Sequence, residues 1–521
     1  MLQNSFLEIP LNNALMLYTR EIVPRLTKKN KIISISIAVA LSLIYMITDS
    51  LLKPPKNLRH IPYISYLDLI KSTIMREPIW NRLYRVHLPE EQTRIGWTVQ
   101  ISNAVDARRV FLKSDLFPKI LPKDEHKETL GAKFVGGPNM LVLNGHQWKT
   151  QRKIANPAFH RSMPVKLFGR LTQDMFDVME TMGDTVDVSD LLHRWTLDAI
   201  GKAGFDFDFN AIKDRNSEWA CRYDKISEGL RDSKFFYFPI FDTKLRWMFP
   251  KRVQLHKEMD NFLEMLDEVI FKKREAIKNG LQNNALEDNE KDLLTLMIES
   301  EDLQEGGLTD EELKSTFCVF FLAGHDTTAG ALSFAVHHLA QNQDIQQKAR
   351  EEAIRVLGDG KYDILPTVEQ TKEMVYINQV IKETLRINGP TPRVFPRYAT
   401  EDTELSGKFI PKGTPLTVNI FNVQHSEQNW KDGHIFDPDR FAEDGEASRA
   451  ESMAWTPFGN GARQCIGMNF SLNEQRVFLA MLLRKFIWKT PENSIHKNGP
   501  ISYGVTVIGL QNLDITFKRI Y

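Results

Sequence analysis

Phe458-Gly459-Asn460-Gly461-Ala462-Arg463-Gln464-Cys465-Ile466-Gly467 is the stretch on which the reading of this chain turns. It is a glycine-punctuated loop that runs into a helical pattern carried by Met468, Leu472, Val477, Leu479 and Leu483. Gly459 and Gly461 permit tight backbone turns with positive φ. Such turns let the chain fold under a flat cofactor and aim amide N–H groups at the Cys465 sulfur. The sulfur then lies near a helix N-terminus, where free N–H groups and the helix dipole favour a thiolate. Arg463 can pair with an acidic group on the cofactor rim, and Phe458 can shield the sulfur from water. A cysteine by itself is more often a buried structural thiol. Five fixed positions at this spacing, however, arise by chance in roughly one chain in several thousand, which favours the site.

The rest of the composition narrows the field. Hydrophobic residues make up 42% of the 521 and charged residues 26%, the values of an ordinary folded protein. Length alone predicts about two to four domains. Lys+Arg 67 against Asp+Glu 67 leaves no basic excess for nucleic acid. Cys221, Cys318 and Cys465 form no CxxC pair, so neither a disulfide framework nor a structural zinc site is expected. The working face belongs in a reducing compartment.

One segment is not soluble. Ile32 to Thr48 carries no charge, and extension to Leu52 gives a length suited to a membrane-spanning helix. The apolar run begins too far along the chain, and without a small-residue cleavage site, for a signal peptide. Lys53-Pro54-Pro55-Lys56 then breaks the helix. The expected division is an N-terminal segment 1–31, an anchor 32–52, a proline-containing hinge 53–62 and one large domain 63–521. Five basic residues flank the anchor on its N-terminal side and three on the other, which by itself points to a cytosolic N-terminus.

The body is mainly α with small β-sheets. Glu218 to Ser300 has helical periodicity around a polar loop, Asn279 to Asp292, and β-like pieces fall near Thr98–Ile101, Leu416–Ile420 and Val505–Ile508. Four further constellations stand out. Ala323-Gly324-His325-Asp326-Thr327-Thr328 is an abrupt polar insert in an apolar helix. There Gly324 allows close approach to the backbone, and the Thr327 hydroxyl can interrupt the helix ladder to hold a small ligand or water. An acid beside an alcohol suits controlled proton delivery. Glu383 and Arg386 share a helix face, which as a lone pair is an ordinary surface salt bridge. Trp148 and Arg152 lie four apart on another helix face. Arg397 follows Phe395-Pro396, and Arg440 lies in Phe436-Asp437-Pro438-Asp439-Arg440-Phe441.

Together with the cysteine loop, these motifs resemble the cytochrome P450 superfamily in order and spacing, from the Pro54-Pro55 hinge to the last strand. Their style is similar to membrane-anchored microsomal, fungal-like members. The resemblance implies the cytochrome P450 fold after one N-terminal transmembrane helix, with haem b held by Cys465 as thiolate and metal ligand. Phe458 and Gly467 would flank that ligand, and Trp148, Arg152, Arg397 and Arg463 would support the cofactor and its propionates. On the same resemblance Asp326 and Thr327 would be the catalytic pair, and Glu383, Arg386 and Arg440 a buried structural network that governs haem retention. The pocket walls implied are Phe320, Phe321, Ala323, Val394, Phe395 and Val505, with the aromatic run Lys234 to Pro250 as roof and access channel. None of these walls is charged, which favours a neutral lipid such as a steroid.

The function implied is insertion of one oxygen atom from O2 into a C–H bond of a lipophilic substrate. The chain has no flavin or nicotinamide signature. Electrons are therefore expected from a separate NADPH-dependent cytochrome P450 reductase, with cytochrome b5 as an optional second donor. Lys149 and Lys153 are candidates for that docking face. The location implied is the endoplasmic reticulum membrane, single-pass, with the catalytic body cytosolic, against the flanking-charge count. Ala323 stands where some fatty-acid hydroxylases of the family carry a haem-linked glutamate, so no such link is expected. His325 is read as a polar helix residue rather than a second iron ligand. A thiolate-haem isomerase that rearranges peroxides, and a non-catalytic membrane haem carrier or sensor, are the alternative readings; neither needs Asp326-Thr327.

Overall fold

Lys28–Leu52 forms helix α1 and gathers the apolar run into one continuous helix. Its continuous apolar stretch is Ile33–Met46, in which Ile33, Ile37, Leu41, Ile44 and Met46 are all about half exposed. At ~1.5 Å per residue the whole helix is about 37 Å long and its apolar stretch about 21 Å, the latter shorter than a hydrocarbon thickness of about 30 Å. Charge closes its end. Asp49 is bridged by Lys53 at 2.9 Å and by Arg59 at 2.8 Å, and a short 3-10 turn at Lys56–Leu58 follows the two prolines.

The computed structural model describes residues 28–64, 93–95, 98–120, 127–232, 234–235, 238–280, 288–302, 307–450, 453–504 and 507–521. These fall into two compact units. The first contains α1 and the strand Tyr63–Ile64, parallel to Thr93–Ile95 with Tyr63 opposite Arg94. Most of the N-terminal segment 1–31 lies outside the described residues.

The second unit is helical. The helices used below are α2 Ala104–Leu112, α3 Gly145–Arg161, α4 Val188–Phe205, α5 Glu218–Arg231, α6 Pro250–Lys278, α7 Asp310–Gln341, α8 Val375–Asn388 and α9 Met468–Lys485. Helix α7 is its axis. Thr309 and Glu312 form a reciprocal cap, with the Thr309 hydroxyl accepting from the Glu312 amide at 3.2 Å and the carboxylate accepting from the Thr309 amide at 3.0 Å. Asp310, Glu311 and Glu312 complement the positive end of the dipole. Phe317, Phe321, Leu332, Phe334, Val336 and Leu339 are buried on several sides of α7, the pattern of a helix inside a core. It is long and apolar enough to cross a membrane, yet 72% of its apolar window is buried in the protein.

Small sheets edge the helices. Thr98–Ile101 runs parallel to Pro415–Val418 with Val99 opposite Leu416, and Arg397–Tyr398 pairs antiparallel with the latter. The strand expected at 416–420 stops at Val418, because the Asn419 side chain caps the helix Ile420–His425. Near the C-terminus Ser502–Tyr503 pairs with Gly509–Leu510, so Val507 and Ile508 lie outside any strand. This corrects the strand expected at 505–508; Val505 itself lies outside the described residues. Asp514–Arg519 pairs with both Thr185–Asp187 and Phe486–Lys489. Of the polar loop 279–292, positions 281–287 lie outside the described residues.

Candidate active site around Cys465

The cysteine loop takes the turns its glycines predict, with φ of 67° at Gly459 and 69° at Gly461. At Gly461 the reason is also steric, since a Cβ would lie 2.6 Å from the carbonyl oxygen of Phe111 on α2. The Cys465 amide donates to the Phe458 carbonyl at 2.9 Å, which folds the loop back on itself. Gly467 is the N-cap of α9 and offers its amide to the thiol. Cys465 lies deep in the protein, yet its surface is open. Burial is the leading influence and pushes the thiol above its usual range, while the Gly467 amide and the Arg152 charge pull the other way. The helix terminus alone therefore does not make the thiolate expected from the sequence; a metal at the sulfur would.

Cations gather beside this loop. Arg463 stacks on Trp148 at 3.9 Å and donates to the Leu143 carbonyl at 2.7 Å and to Asn144 Oδ1 at 3.0 Å. Arg397 is 2% exposed; its Nη1 donates to the Val110 and Phe117 carbonyls, while Nε has no hydrogen-bond partner among the described residues. Burial lowers Arg397 to about 10, and burial with repulsion from Arg397 and Arg152 lowers Arg463 to about 10. Lys119, which the sequence reading missed, belongs to the same group. Its ammonium is 3.4 Å from the Phe395 carbonyl, and burial with Arg397 and Arg463 holds it well below its usual range. No local motif surrounds Lys119; its bridge to Arg397 and its backbone bonds with the Asn144 side chain place it here.

Charges this crowded, with Asp115 the acid that opposes them at Arg463, are stabilised by an anionic partner. A cofactor with carboxylates above and a thiolate-seeking metal at Cys465 fits this donor set. A cavity of about 210 Å³ opens at the same edge, lined by Ser114, Asp115, Asn144, Trp148, Lys149 and Arg463. Lys149 and Lys153 are both exposed on α3.

Helix α7 presents an open face. Ala323 is exposed and Thr327 half-buried, although their neighbours on the helix are mostly buried. Phe320, one turn before Ala323, packs edge-on against Phe159 at 5.0 Å, and Phe159 also borders Gly467. Thr328 and Ser471 share a hydrogen bond at 3.1 Å that ties α7 to α9. The face carrying Phe320, Ala323 and Thr327 is thus brought to the cysteine loop. Phe321 is not part of it. Its ring is wholly buried among Phe205, Phe209, Tyr223 and Phe262, so it is core rather than pocket wall. Val394 and Phe395 are half-buried beside Lys119.

The acid and alcohol point differently. Thr327 Oγ1 donates to the Ala323 carbonyl at 2.5 Å. Asp326, 6% exposed, instead accepts from Arg231 at 3.1 Å and Ser227 at 3.4 Å, both on α5. His325 turns to α4, where its Nδ1 meets Thr196 Oγ1 at 3.0 Å, and burial lowers it to about 3. Nor does Gly324 admit a ligand: its missing Cβ would lie 2.9 Å from Ile200 on α4, which fills that space.

Glu383, Arg386 and Arg440 do meet. Arg386 binds Glu383 through two bonds of 2.7 and 2.8 Å with both side chains sealed from solvent. Arg440 Nε lies 3.5 Å from Glu383, and Arg440 also pairs with Glu446, a member the sequence reading missed. Arg386 further donates to the Gln424 and Gly433 carbonyls, and Trp455 Nε1 to the Lys382 carbonyl. Helix α8 thereby holds the chain that leads into the cysteine loop. Breaking such a buried pair costs about 3–5 kcal/mol.

Known proteins resemble this chain over most of its length. The family described as Cytochrome P450 matches residues 86–510. A bifunctional cytochrome P450/NADPH–P450 reductase 2 of Bacillus subtilis (strain 168) is 32% identical over 366 residues, 67% of this chain and 32% of that one. The pig taurochenodeoxycholic 6 alpha-hydroxylase is 29% identical over 367 residues, 67% of this chain and 70% of that one. The crystal structure of the cytochrome P450DA heme domain superposes with a TM-score of 0.67 at 23% identity, covering 81% of this chain and 87% of the other.

Proposed function

The chain belongs to the cytochrome P450 family, and from that premise we propose that it is a haem-thiolate monooxygenase acting on a lipophilic, neutral substrate. The observation that carries this reading is the open Cys465 at the start of α9 beside a buried cation cluster that includes Lys119, Arg397 and Arg463. Bound there, haem would supply the activation of dioxygen and its insertion into a C–H bond. Everything else falls to the chain. Cys465 would hold the metal, and Arg152, Arg397, Arg463 and Lys119 would neutralise the carboxylates at the cofactor rim. Thr327 would exchange its bond to Ala323 for one to a bound water or oxygen, and Asp326 would supply the proton.

Phe320, Ala323, Val394 and Phe395 offer the substrate apolar surface without a charged anchor, which supports a neutral ring system. Phe238, Ile240, Trp247 and Met248 are all about half exposed or more, in a segment with Lys244, Arg246 and Lys251. An apolar surface edged by basic residues suits a membrane interface. With α1 as anchor, the protein would sit on the endoplasmic reticulum with its body cytosolic and take electrons from a separate NADPH-dependent reductase, through Lys149 and Lys153. The first test is the absorption spectrum of reduced, carbon monoxide-treated membranes that contain the protein. A thiolate-type Soret band is expected. A histidine-type band, or none in protein that is folded, would overturn the reading.

A further inference from the structure

Among the described residues, Asp326 has four polar side chains beside it, from two other helices and its own. Arg231 and Ser227 come from α5, His325 Nε2 lies 3.6 Å from Oδ1, and His193 Nε2 on α4 lies 4.0 Å from the same oxygen. Only a group that both reaches water and exchanges a proton near neutral pH can bring protons in. Arg231 is 30% exposed, but a guanidinium keeps its proton. His325 is 2% exposed, held neutral by burial and engaged with Thr196. Ser227 is buried. His193 is 20% exposed, and an imidazole can accept a proton on one ring nitrogen and give it up again.

The tautomer is also fixed. His193 Nδ1 lies 2.7 Å from the Ser189 carbonyl, which can only accept, so Nδ1 carries its hydrogen and Nε2 is the exchanging position. That position faces Asp326 across 4.0 Å, a gap one water or a small ring rotation closes. Among the described residues, charged groups near the ring include Asp190 on its own helix, which is paired with Arg194 and Arg215, and Asp224 on α5, whose carboxyl burial pushes up.

We propose that His193 is the proton-entry residue of this site, taking protons from bulk water on Nε2 and passing them to Asp326 Oδ1. The inference rests on the reading of Asp326 as proton donor. In each transfer an imidazolium and a carboxylate become an imidazole and a carboxylic acid, and water at the surface reprotonates the ring. Once neutral, Asp326 loses its ionic attraction to Arg231 and carries a hydrogen it can pass on. His193 acts through Asp326 and touches no reacting atom, so it is a relay and positioning residue.

The test uses the full haem-loaded chain in lipid nanodiscs with an NADPH-dependent reductase and no organic substrate. Oxygen consumption is followed against pH in H2O and D2O. His193→Asn keeps a donor for the Ser189 carbonyl but cannot titrate. It should slow oxygen consumption on the order of 10²-fold, flatten the pH profile and raise the solvent isotope effect. An unchanged pH profile overturns the relay. Asp326→Asn separates the two ideas. If it slows the reaction while His193→Asn does not, His193 alone is wrong; if neither does, the role of Asp326 fails with it. Thermal melting of both single variants and the double variant gives a readout independent of turnover. The two substitutions should be non-additive, as expected of two groups that interact directly. Additivity also overturns the proposal.

Discussion

The Thr327 hydroxyl is committed to the Ala323 carbonyl at 2.5 Å, while the Asp326 carboxylate is committed to α5. Both commitments are hydrogen bonds to neighbouring groups, and the proposed proton delivery requires each to exchange. Thr327→Ala removes the hydroxyl without disturbing Cys465 or the cation cluster. The variant should bind haem as the parent does, and its product formation should fall on the order of 10²-fold, with reducing equivalents diverted to peroxide. Product and peroxide measured against NADPH consumed check this. Unchanged coupling would remove Thr327 from the proton route. His325, between Gly324 and Asp326 in sequence, shows how a helix separates neighbours: successive residues turn by about 100°, so it reaches Thr196 on α4 instead of the open face.

At the scale of elements, the loop before α9 depends on its contact with α2. Gly461 has φ 69°, and any Cβ there would lie 2.6 Å from the Phe111 carbonyl, a backbone atom that cannot swing aside. Gly461→Ala should therefore cost more than the ~1 kcal/mol of an ordinary glycine replacement and loosen haem. Haem retained after dialysis and the melting temperature report this; Gly407→Ala, also at positive φ but with open space, is the comparison. The sequence revealed this loop because its chemistry is local, five residues with fixed conformational jobs. It revealed α7 through unbroken apolarity, and the Glu383 network only in outline. What it concealed depends on which way a helix turns. Phe320 and Phe321 are equivalent in composition, yet one borders Phe159 and the other sinks into an aromatic cluster. Lys119 and Glu446 escaped because their partners are distant or irregular chain, joined to them only by the fold.

For the whole molecule, stability against pH is set by groups the fold buries. Glu474 on α9 is 2% exposed and bonded by Thr328 of α7, and burial raises its carboxyl to about 8. Unfolded, such a carboxyl titrates near 4.3. Below that value the group is neutral in both states and its contribution is fully present. Between about 4.3 and about 8 the unfolded chain sheds the proton while the folded protein keeps it, so stability falls as pH rises. Above about 8 both states are ionised and the loss is complete. Glu474→Gln keeps the shape and a partner for Thr328 but carries no titrating group. Its melting temperature relative to the parent should climb steadily from pH 5 to about 8 and then level off. The comparison cancels the buried His325 and His338, which titrate equally in both proteins, at about 3 and about 4 in the folded state. A difference that stayed flat across this window would mean that Glu474 is ionised in the folded protein, and that water reaches the junction of α7 and α9 behind the cysteine loop.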